Sequence, residues 1–293
     1  MFVLRHTNIV ILINKNNFNP VHNIYLSFPK VSGGPFVGNN IFEYYKYRSV
    51  IAGVCINMAQ FQRPLLRIGS IAFLAGAVIA IVSTVIHPST EDPSNHPLVF
   101  TKYASSDSWI AIHIGQFAGV IMVFAGGFVT LFRLFAQSES SMASILAWIG
   151  LALAIMTASA FAVLQAVDGI AQKRAVDSWV AAPPEEKAIP FRVAEGIRFI
   201  EYGTNSIFRI LQGTVAVIFG VAIVKSKILS KWIGGAGVVI GVVTIYAGLE
   251  VAYLGFGGLT TIIGISMIIY FIWVGVLGGL MWKKSISKTS QKI

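Results

Sequence analysis

The chain has 293 residues, 55% of them hydrophobic and only 12% charged, with a formal net charge of +10. A soluble domain carries about 25% charged residues, so an ordinary soluble protein is excluded at the outset. The lone cysteine, Cys55, excludes an intrachain disulfide and a cysteine zinc cluster, and no P-loop or dinucleotide fingerprint is present.

Residues 1–57 differ from the rest. Asparagine is frequent there, and after Met58 only Asn95 and Asn205 remain; alanine shows the reverse trend. The run "NIVILIN" is too short to span a bilayer and lacks a small-residue cleavage site. The break predicts two parts: 1–57, over-called translation or a disordered cytoplasmic tail, and 58–293, a membrane domain that starts at Met58. No function is assigned to residues 1–57. Deleting them is expected to leave membrane insertion unchanged, because Arg63 and Arg67 still precede the first apolar run. Membrane fractionation of the truncated chain checks this; loss of insertion would make the segment a working part.

Six apolar runs follow, near 68–86, 109–132, 145–167, 206–224, 232–251 and 261–282. Each is about long enough to cross a hydrocarbon core of roughly 30 Å. None shows the short alternating pattern of a barrel strand, so the predicted class is all-α, a six-helix transmembrane bundle. Basic residues fix the direction. Arg63 and Arg67 precede the first run, Arg133 follows the second, and Lys225, Lys227 and Lys231 fill the fourth connection. Lys283, Lys284, Lys288 and Lys292 follow the sixth. By the positive-inside rule both ends face the cytoplasm of a cell-membrane protein. The positive charge is thus a topology signal, and no nucleic-acid partner is expected.

Counting inward from these anchors at about 1.5 Å per residue brings polar residues on five helices to one outer level. They are His87, His113 with Gln116, Gln165 with Asp168, Asn205 with Arg209, and Glu250. Glu195, Arg198, Glu201, Asn205, Arg209 and Gln212 recur every three or four residues, so they share one helical stripe. Gln165, Asp168 and Gln172 share a face of the third span. Pro183 and Pro184 break that helix, and Pro190 suits a helix start. An extended extracytoplasmic hairpin between spans three and four is predicted, turning near 183–187 and placing Trp179 and Val180 at the interface or against another loop.

Arginine within a span costs roughly 2.5–3.5 kcal/mol at the helix centre. Two readings of Arg209 follow. It lines an outward-facing pocket, paired with Glu201, Asp168 or Glu250, or it snorkels to the headgroups. Gly237 with Gly241 and Gly275 with Gly279 are spaced for close helix packing. His87, His96 and His113 gather on the outer side, but no short paired spacing such as His-x₃-His occurs, so neither a metal nor another cofactor is assigned.

The stretches "WIAIHIGQFAGV", "VLQAVDGIAQKRAVDSW" and "EGIRFIEYGTNSIFRILQG" resemble small prokaryotic multi-pass membrane proteins of unassigned function. The resemblance covers about 67–255. It implies the six-helix architecture and a start at Met58, and no activity.

The favoured function is binding of a small polar or anionic solute, or a lipid headgroup. Arg209 would hold the anion, and Asn205, Gln165 and Gln212 would donate hydrogen bonds. Asp168, Glu201 and Glu250 would balance charge, with His113 and Gln116 nearby. Transport is the weaker form of this reading, since repeats and broken helices are absent. One alternative is a membrane redox protein or enzyme using His113 with His87 or His96. Another is a structural or accessory subunit docking a partner on the outer hairpin.

Overall fold

A computed structural model describes residues 63–88, 92–136, 138–257 and 260–286, the backbone alone for 260–263, and the backbone of three short strands near the N-terminus. The chain divides into two units, Met1–Ala59 and Gln60–Ile293.

In the first unit β1 (Arg5–His6), β2 (Ile9–Ile13) and β3 (Ile24–Ser27) form an antiparallel sheet in that order. The run Ile9–Ile13 is made of β-branched residues and leucine, which suit a strand, and pairs from Val10↔Ser27 to Ile13↔Ile24. No strand is expected here from the sequence. The expectation of over-called or disordered chain otherwise lies outside the described residues.

The second unit is all-helical, with turns between the helices and no strand among its described residues. It comprises α1 (Arg63–Val85), α2 (His96–Ala104), α3 (Trp109–Ala136), α4 (Ser141–Ala181), α5 (Ala188–Ser226), α6 (Lys231–Leu254) and α7 (Thr260–Ile286). All but α2 are long and apolar enough to cross a membrane. The chain is an integral, multi-pass membrane protein. In lipid every backbone polar group must be satisfied within the segment, which makes helices of these valine- and isoleucine-rich runs despite their strand propensity. Hydroxyls follow the same rule: Ser70, Thr130, Thr157 and Thr244 each donate to the carbonyl four residues back. Large apolar side chains such as Ile71, Val78, Trp148, Ile155 and Ile272 point outward, as lipid requires.

Local chemistry sets the ends. Ser140 caps α4 by accepting from the Ala143 N–H, and Asn95 caps α2 by accepting from Leu98. Lys227 leaves α5 in the left-handed region, and Gly255, with φ of 62°, ends α6 where a side chain would be strained.

α4 has 41 residues and α5 has 39. At 1.5 Å per residue each is about 60 Å long, so both extend well beyond a bilayer core. Pro183 and the 3₁₀ turn Pro184–Glu186 join them as an antiparallel hairpin. Phe161 on Phe208 fixes their register. Trp179 packs against Phe100 of α2 and Phe191 of α5, while Val180 is exposed. With Val99, Trp109, Val176 and Ala194 they make a small core at this end of the bundle. The main core is aromatic, built on Phe73, Phe124, Phe128, Phe219 and Tyr270.

α5 and α6 touch backbone to backbone. A Cβ on Gly213 would strike the Gly241 carbonyl and the reverse; Gly220 and Gly234 repeat the arrangement. Gly237 faces a different helix, against Trp273 of α7. Of the second spaced pair, Gly275 only reaches Ala77, and Gly279 faces open space. Gly278 is the packed position, against Phe73 and Leu74. Gly241→Ala is therefore expected to cost about 1–3 kcal/mol by overpacking, and Gly279→Ala almost nothing. Thermal unfolding in detergent measures both, and equal shifts would refute the assigned packing.

The orientation remains an expectation from the basic residues. Reporters fused after Lys284 and within 225–231 should be cytoplasmic, and one within 89–108 outside. A cytoplasmic signal from the last would reverse the topology.

Candidate functional site

The polar residues gather at the end of the bundle where α1 stops, α3 begins and α4 and α5 leave the apolar zone. His113 stands one turn into α3. Its Nδ1–H donates to the Trp109 carbonyl at 2.7 Å, so Nε2 faces Asp168 Oδ2 at 3.1 Å. Asp168 lies on a π-helical turn of α4, Ala166–Gln172. Such a turn interrupts the α-type ladder, and the Asp168 carbonyl accepts instead from Trp109 Nε1–H at 3.1 Å. The next residue, Gly169, makes room: a Cβ there would collide with His113.

His87, just past α1, completes the group. Its ring centroid lies 5.0 Å from that of His113 and 4.9 Å from that of Trp109. One ligand-capable atom each from His87, His113 and Asp168 lie within 4.8 Å of one another. Burial pushes the His87 pKa down to about 4, helped by His113 and Arg198 and opposed by Asp168, so the ring is neutral at pH 7. Burial raises the Tyr103 phenol far above its usual range, and it stays protonated.

One helical face away, Arg198 Nη1 donates to Glu201 Oε2 at 2.7 Å and to the Tyr103 hydroxyl at 3.0 Å. The guanidinium lies over Tyr103, Tyr202 and Phe256, at 5.4, 5.2 and 4.7 Å from the ring centroids. Arg198 is 2% exposed and Glu201 3%, so this is a buried ion pair. Glu195 stands three residues from Arg198 on the same stripe. The structure gives Glu195 to His96 at 3.0 Å and to Arg192 at 2.6 Å. His96 further contacts the Tyr202 hydroxyl, and so belongs to a separate corner from His113.

Deeper along α5, Arg209 Nε donates to Asn205 Oδ1 at 2.6 Å. Asp168 is committed to His113 and Glu201 to Arg198. The third acid considered for Arg209, Glu250, is buried on α6, whose Gly248 packs against the Arg209 Cβ. Gln165 Nε2 donates to Gln116 Oε1 at 3.3 Å. Gln172 and Gln212 are fully buried, and neither amide atom of either has a hydrogen-bond partner among the described residues. A cleft of about 320 Å³ opens nearby, lined by Thr101, Ala104, Ser105, Asp177, Val180 and Ala181. None of the polar core lines it.

Tyr103, Trp109 and the depth of Arg198 are site features not expected from the sequence. The signal for Arg198 was present in its place on the stripe. For the aromatics it was only their nearness in sequence to His113. Compared with curated proteins and with solved structures, the chain has no match. Residues 68–282, which run from the first span into the sixth, match the family model "Domain of unknown function (DUF4386)", and the chain belongs to that family of multi-pass membrane proteins.

Proposed function

We propose that this is a cell-membrane protein, with both ends in the cytoplasm, that holds a small polar or anionic molecule in its polar core near the extracytoplasmic face. The observation that carries this is the Gln212 amide of α5, fully buried and unpartnered among the described residues three positions beyond Arg209; the Gln172 amide of α4 is in the same state at another level of the bundle. Leaving a buried donor or acceptor unmet costs about 1–3 kcal/mol. Native proteins rarely tolerate this without an occupant. Each amide offers a donor and an acceptor. On one helical face with the buried Arg209, the Gln212 amide suits a carboxylate, a phosphate ester or a headgroup. Arg209 supplies the positive charge, with Asn205 holding its guanidinium. Gln165 and Gln116 extend the donors, and Asp168, Glu201 and Glu250 balance charge.

Native mass spectrometry of the detergent-purified chain tests the reading, with thermal shifts against anionic and zwitterionic lipids and small organic anions. A retained adduct, or an anion-specific stabilisation lost in Gln212→Leu, is expected. No adduct and no shift, together with Gln172→Leu and Gln212→Leu chains more stable than wild type, would mean that the amides are merely frustrated.

A specific observation also favours the reading through His113: His87, rather than His96, is its neighbour, and both face Asp168.

A further inference from the structure

We propose that His87, His113 and Asp168 form a binding site for one divalent transition metal of the zinc class. The site uses different chemistry from the amide–arginine core and does not depend on that reading.

Three features of the geometry carry it. First, the donor set is two imidazoles and a carboxylate from three separate elements, with one ligand atom each inside a 4.8 Å span. Imidazole nitrogen with one carboxylate oxygen suits zinc and its neighbours better than calcium or magnesium. Second, the outer support of a metal-bound histidine is in place. The His113 Nδ1–H donates to the Trp109 carbonyl at 2.7 Å, which orients the ring and turns Nε2 toward Asp168 Oδ2 at 3.1 Å. A contact this short between the two atoms holds either a proton or a cation. Third, the fold spends local regularity on the arrangement. The π-helical turn carries Asp168, and Gly169 clears the space that His113 occupies. Asp168 Oδ1 has no hydrogen-bond partner among the described residues, so the carboxylate keeps acceptor capacity for a cation.

Three protein ligands leave a fourth position for water or for an oxygen of a bound molecule, as in catalytic rather than structural zinc sites. The competing account is a plain imidazolium–carboxylate pair between His113 and Asp168, which needs no metal and no contribution from His87.

The full chain, purified in detergent and stripped with a chelator, would be titrated with Zn²⁺, with stoichiometry read by elemental analysis after desalting. One zinc per chain is expected. Affinity should fall at least about tenfold in each of His87→Gln, His113→Gln and Asp168→Asn, a loss that even a supporting partner commonly produces. His96→Gln should bind as wild type does. Should a ligand variant fail to fold, Co²⁺ loaded into the wild-type chain still decides. Visible d–d bands of a four-coordinate nitrogen–oxygen site support the proposal, and their absence overturns it. Zinc stoichiometry below one, or affinity unchanged in folded variants, leaves the ion pair as the whole explanation.

Discussion

Arg198→Leu is expected to be among the most damaging single substitutions in the chain, with a loss of about 3–5 kcal/mol. The cause is what remains behind. Glu201 is 3% exposed, and its Oε2 takes its charge-assisted bond from Arg198 Nη1. Leucine would strand that carboxylate and remove the cation from between Tyr103, Tyr202 and Phe256. Arg198→Leu combined with Glu201→Leu should recover much of the loss, since a buried pair can often be exchanged for apolar packing at little net cost. Arg198→Lys should fall between, keeping the charge but losing the planar fork and the stacking. Thermal and denaturant unfolding in detergent give the order. A single-mutant shift no larger than that of a surface substitution, about 0.5 kcal/mol, would show that the pair is solvated.

Arg209→Leu should cost a comparable amount, and the double mutants should say why. Asp168 already faces His113, so Arg209→Leu and Asp168→Asn are expected to add. Glu250 sits on α6, the helix whose Gly248 lies against Arg209. Arg209→Leu with Glu250→Gln should therefore be non-additive, with part of the loss restored. Small, additive shifts in both cycles would leave Arg209 as a cation snorkelling to the surface.

Length and charge placement made the six helices legible, because a hydrocarbon core admits few other forms for 20 apolar residues. Pro183 made the turn between α4 and α5 legible too. Of the stripe on α5, Arg198, Glu201, Arg209 and Gln212 are buried, while Glu195 and Asn205 are half-buried. Partners were harder. A stripe says that a side chain faces the interior, not which helix it meets there. Glu195 and Arg198 are three residues apart, yet Glu195 turns to His96, which is 99 positions away. Asp168 and His113 are 55 positions apart and meet through a π-helical turn that a uniform 100° step does not anticipate. The glycines carry the same lesson. Gly275 and Gly279 have the spacing of a packing pair, but Gly278 is the one that packs.

The π-helical turn makes α4 sensitive to chain length as well as to residue type. It holds one residue more than an α-helical path between the same flanking turns would need. Removing any single residue from 166–172 would let the helix revert to regular winding. The turns on either side would keep their bearing, so Trp179 would stay on Phe100 and Phe191, and Lys173 on the Ala104 carbonyl it now reaches at 2.8 Å. The loss would fall on the turn itself, where Asp168 meets His113 and Gly169 makes room for that ring. A one-residue deletion there would erase this local meeting while leaving the projecting hairpin seated on α2.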